Sequence, residues 1–126
     1  MHMQESLVSV NDGTSQLRLS GALSEWLFSS HFWSDFNVKH NTMFDQFEED
    51  EVDMPIVEEI IEALSERMCV LGGQDKSDIE FVYRWTPESR PLTTSISKKL
   101  LLSELVTFRD FLASAVDRSH NVTFSL

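Results

Sequence analysis

The amino-acid sequence predicts one α+β domain over residues 1–126, an antiparallel sheet with helices packed on one face, in the order ββ-α-α-ββ-α-β. Three observations lead there. Short apolar runs with strand-like spacing come in pairs around turn residues, as hairpins require. Two longer segments repeat apolar residues at helical spacing. A chain of 126 residues, 41% hydrophobic and 25% charged, buries a real core without disulfides or metal.

The elements follow in chain order. Leu7-Val8-Ser9-Val10 and Gln16-Leu17-Arg18-Leu19 flank Asn11-Asp12-Gly13, and an Asp-Gly step suits a tight hairpin turn. Ser20 caps a helix in which Leu23, Trp26 and Leu27 share a face. Ser29-Ser30 weakens that helix, while Phe32, Trp33 and Phe36 continue an aromatic run. Two readings of the run stay open: a plug for the core, or an exposed binding face. Residues 37–54 are polar and acidic, and the three-residue spacing of Phe44 and Phe47 predicts one face of a short helical turn.

Asp53-Met54-Pro55 opens the clearest helix, with Asp as cap and Pro near the first position. Ile56, Ile60, Leu64 and Met68 repeat along it beside Val57 and Ile61, and Gly72-Gly73 ends it. Ile79, Phe81 and Tyr83 alternate with other residues in a strand ending at Pro87. Residues 92–100 read as its hairpin partner. Ser103 caps a last helix carrying Leu105, Phe108, Leu112 and Ala115, stopped by His120-Asn121. Residues 122–126 alternate as a terminal strand.

Charge is unevenly placed. The chain carries 21 acids against 10 Lys and Arg, a formal net charge of −11. Residues 41–66 hold ten of the acids and no base. Within them, Glu58, Glu62 and Glu66 form a row at i, i+4 and i+8, roughly 6 Å apart along a helix. Like charges so spaced cost a few tenths of a kcal/mol per pair. The helix dipole favours Asp53, Glu58 and Glu59 near the N-terminus, but does not account for Glu62, Glu66 or residues 48–51. A solvated face and a partner-docking face both fit. The second would steer a cationic surface into register.

No constellation for catalysis emerges, so a non-enzyme is expected. There is no Gly-x-Ser-x-Gly, no Gly-rich phosphate loop, and the one thiol, Cys69, lies between Met68 and Val70 and is expected to be buried. His31 and Asp35 fall four apart, but two ligands do not make a zinc site. The acids at 45–53 lack the central glycine of a calcium loop. No metal and no cofactor are expected. Net −11 repels phosphate, which argues against direct nucleic-acid binding.

Residues 1–10 lack the basic start and apolar stretch of a signal peptide, and one cysteine makes no intrachain disulfide. No window approaches about 18 unbroken apolar residues. A cytoplasmic location away from membranes is therefore expected. Met1-His2-Met3 reads as a cloning remnant, and the Asn121-Val122-Thr123 sequon as a chance match. The oligomeric state has no signal in the sequence.

A small, acidic α+β domain without catalytic residues resembles bacterial toxin-immunity proteins, the cognate inhibitors of contact-dependent and type VI secreted toxins. The resemblance rests on size, charge and architecture, with no motif. It implies tight binding of one toxin domain, often a nuclease, and occlusion of its active site. On the charge reading, Asp45, Glu48, Glu49, Asp50, Glu51, Glu58, Glu62 and Glu66 supply steering and rim contacts. Phe44 and Phe47, if exposed, anchor the centre. Three alternatives remain. One is a phage-type nucleic-acid mimic that inhibits a host DNA-binding protein. Another is a ligand-binding domain or enzyme built on residues 26–36, with a pocket lined by His31, Trp33 and Asp35. The last is a subunit of a larger assembly with a wide apolar patch.

Overall fold

The structure is a computed structural model that describes residues 4–11 and 13–126. Asp12 of the expected turn and Met1-His2-Met3 lie outside the described residues. β1 (Ser6–Val10) and β2 (Gln16–Leu19) form the antiparallel hairpin the sequence predicts. Gly13 sits at φ 77°, a left-handed conformation that costs glycine little. α1 (Gly21–Ser29) follows, and the Ser20 hydroxyl accepts the Leu23 N–H at its first turn.

The aromatic run continues as a separate helix, α2 (Phe32–His40). His31, at φ 65°, turns the chain between the two helices. Trp26, Phe32, Trp33 and Phe36 are buried, so the run plugs the core and offers no binding face. Trp33 meets Phe32, Phe36 and Phe124 edge-on, with ring centroids 5.0, 6.3 and 6.0 Å away. Such geometry matches positive ring edges to negative ring faces.

The acidic segment departs from expectation. It forms no helical turn: coil runs into a strand, β3 (Glu49–Val52), which pairs with β6 (Val122–Ser125). The first sheet has the order β2-β1-β6-β3, antiparallel throughout. Val8, Val10, Leu19, Val52, Val122 and Phe124 are buried on its core face. Asp53 then starts α3 (Met54–Gly72), which buries Val57, Ile60, Leu64 and Leu71. Cys69 is exposed rather than buried. Five residues past Leu64, it lies well round the helix from the stripe that Leu64 continues to Leu71.

β4 (Asp78–Trp85) and β5 (Pro91–Ser97) form a second, two-stranded sheet in place of the single sheet expected. This ribbon packs against α1 and against α4 (Lys98–Asp117) instead of extending the first sheet. The expected strand over 92–100 ends at Ser97, and Ser97, not Ser103, caps α4, accepting the Leu100 N–H at 3.1 Å. Starting the helix there puts Leu101 in line with Leu105, Phe108, Leu112 and Ala115, all buried. α3 lies along α4, and α2 touches α1 and α3.

Candidate functional site

β3 is an edge strand, and hydrogen-bond parity fixes which of its groups are free. Antiparallel neighbours exchange bonds at every second residue. Leu126 N–H donates to Glu48 O at 2.9 Å, which sets 48, 50 and 52 as the residues bonded to β6. Asn11 N–H donates to Asn121 O at 3.1 Å, so residues 121, 123 and 125 of the same chain segment serve β1. The N–H and C=O groups of Glu49 and Glu51 therefore point away from the sheet. Their side chains stand on its solvent face, beside Ser125 and Thr123. Asn11 clamps one of them, donating to Glu51 Oε1 at 2.6 Å while accepting from Thr123 Oγ1 at 2.8 Å.

The two phenylalanines of the segment part ways. Phe44 is buried, 5.0 Å from Trp33 and 5.8 Å from Phe124 between ring centroids, so it anchors the core and no partner. The Asn37 side chain fixes it, bonding both the Phe44 N–H and the Phe44 C=O. Phe47 is 69% exposed and sits at φ 66°. A bulky residue in the left-handed region is strained by roughly 1–2 kcal/mol. Gln46, just before it, donates to Glu25 Oε1 at 3.0 Å.

Glu25 is a buried carboxylate that sequence reasoning missed. It accepts from Gln4 N–H, from Gln46 Nε2, and from Arg84 of β4, 59 residues away, at 2.5 Å. Three donors satisfy a charge that would be costly to bury alone. One side chain thus ties the start of β1, the turn before β3 and the β4–β5 ribbon together. No local pattern announces such a tie.

The acidic strip divides in space. Asp45, Glu48, Glu49 and Glu51 are exposed and Asp50 half-buried. Among the described residues no Lys or Arg pairs with any acid from 45 to 53. Asp50 Oδ2 is buried with no hydrogen-bond partner. Glu58, Glu62 and Glu66 lie on α3 in the row the spacing predicts, and all three are exposed. There α2 brings Lys39 and His40 close. His40 lies 3.8 Å from Glu59, and a cleft of about 270 Å³ gathers Lys39, His40 and Arg67 beside Glu66. Arg67 itself pairs with Asp35 at 3.6 Å, donates to Ser30 O and covers the Phe32 ring. Among the described residues Glu58, Glu62 and Glu66 form no ion pair either; the two ends of the strip differ in that cationic side chains line the cleft beside Glu66.

A groove of about 460 Å³ flanks the β3 end, lined by Thr42, Met43 and Phe44 and by Asp50 to Asp53 of the strand and its exit. Met43, beside it, is 87% exposed. The pocket of His31, Trp33 and Asp35 does not form: Trp33 is buried while His31 and Asp35 are exposed. Among the described residues, no three His, Cys, Asp or Glu side chains converge as metal ligands. No helix among them is long and apolar enough to cross a membrane. Comparison with protein-family models, curated proteins and solved structures finds no match.

Proposed function

We propose that the chain is a bacterial immunity or inhibitor protein that neutralises a cognate toxin domain by covering its cationic active-site surface. The observation that carries this reading is the β3 end of the strip. Carboxylates at 45 and 48–51 pair with no Lys or Arg among the described residues and stand next to an exposed phenylalanine held in a strained conformation. Exposed like charges steer an opposite surface and speed its docking. An exposed aromatic beside them supplies the apolar anchor that such interfaces need. The α3 row at Glu58, Glu62 and Glu66 adds a second charge field at the rim, with Lys39 and Arg67 in the cleft beside Glu66. A location in the cytoplasm, where a toxin would meet its inhibitor, belongs to the same reading.

Affinity capture from the source cell at low and high salt, with mass-spectrometric identification, tests it. The expected result is one cationic toxin-like protein, recovered at low salt, whose activity the chain suppresses. Capture of many DNA-binding proteins, each released by DNA, would favour a nucleic-acid mimic instead. Recovery of nothing at either salt overturns the reading. With a partner in hand, the variant Glu48→Gln, Glu49→Gln, Asp50→Asn, Glu51→Gln is expected to slow association about tenfold and flatten its salt dependence. Unchanged kinetics would move the interface off this face.

A further inference from the structure

We propose that the open edge of β3 receives an extended segment of the cationic partner as a fifth strand, antiparallel like the rest of the sheet. The inference rests on the reading that this face binds a cationic protein, and it specifies how. Glu49 and Glu51 present two N–H and two C=O groups outward at the strand edge. Unpaired edge groups template a further strand, laid about 4.8 Å away.

Charge decides what that strand is. A second copy of β3 would set Glu49 and Glu51 against their own kind, and directly opposed like charges are destabilising. Nucleic acid is repelled by the same carboxylates. A segment with Lys or Arg at alternate positions fits, because its cations fall roughly 6.8 Å apart on the solvent face, opposite Glu49 and Glu51. The residue between them then faces the groove, where Asp50 Oδ2 lies buried without a partner. A hydrogen-bond donor at that position answers this oxygen. Phe47, two residues before the strand, is exposed to the same solvent.

The test uses the whole chain and a synthetic probe, a capped peptide of about seven residues alternating Lys and Thr, long enough to span β3. Amide exchange and NMR shifts are read at low salt and at about 0.5 M salt. The expected result is saturable binding at low salt. It slows exchange at Glu49 and Glu51 by roughly tenfold and leaves Gln16 and Arg18, on the opposite edge, unchanged. N-methylation of every probe lysine removes the N–H groups that face β3 and is expected to abolish binding. N-methylation of the threonines, whose N–H groups face away, is expected to spare it. If the lysine-methylated probe binds equally well and both amides exchange at their free rates, edge pairing is overturned while the acidic docking face stands. If the unmodified probe does not bind even at low salt, both are overturned.

Discussion

The two edges of the four-stranded sheet are built alike and charged differently. By the same parity, Gln16 and Arg18 turn their backbone groups outward on β2, as Glu49 and Glu51 do on β3. On β2 the one charge, Arg18, is closed by an ion pair with Glu5 at 3.2 Å. On the solvent face of β3, Glu49 and Glu51 pair with no Lys or Arg among the described residues. Both arrangements discourage chance pairing, which bare strand edges invite. On the proposed reading, β3 alone of the two also discriminates between partners, because a net sign attracts its opposite. What singles out β3 on that reading is edge exposure combined with unpaired charge, not edge exposure alone.

The largest effect should come from what holds the β3 side in place. Glu25→Ala strands Arg84 and frees Gln46, and is expected to cost about 3 kcal/mol in urea unfolding. On the β2 side, Glu5→Ala removes an exposed pair and should cost no more than about 0.5 kcal/mol. Equal losses would mean the two edges are held alike, and the contrast drawn above would fail.

A middle-sized effect tests the strained ring. Phe47→Gly relieves the left-handed backbone and is expected to raise stability by about 0.5–1 kcal/mol. The same change should weaken partner binding by about 2 kcal/mol, measured by calorimetry. Opposite signs mark a residue kept for contact; a loss of both would make it a packing residue. The smallest effect concerns self-association. Glu49→Gln with Glu51→Gln removes the repulsion between like edges, worth a few tenths of a kcal/mol for each facing pair. Sedimentation should then detect weak dimers, and the matching change Arg18→Gln should produce none.

The α+β class, the first hairpin, the span of α3 and the terminal strand were legible because local patterns drive them: alternation, helical spacing, a Pro start and a Gly stop. β3 was not legible. Glu-Asp-Glu-Val has a single apolar residue, and β6 makes it a strand by pairing with it. The border between β5 and α4 was misplaced because Ser97 and Ser103 both suit a cap, and only the buried position of Leu101 favours the earlier one. At the site, base-free composition pointed to residues 41–66. It could not foresee that Lys39 and His40 come to lie beside the far end of the strip, or that Phe44 and Phe47 take opposite fates. Those outcomes depend on tertiary contacts such as Asn37 with Phe44 and Gln46 with Glu25.

The position of β6 in the chain has a kinetic consequence. It lies between β1 and β3 in the sheet, yet follows every other element in sequence, and Thr123 bonds Asn11 across 112 residues. Closing so long a loop is slow, and pairings of that range delay folding. Until β6 docks, β3 has no strand on either side, and sticky half-formed sheets are where chains aggregate. The carboxylates at 48–51 then act as gatekeepers, keeping a waiting strand soluble among copies of itself. One set of charges would thus protect the chain before it folds and select its partner afterwards.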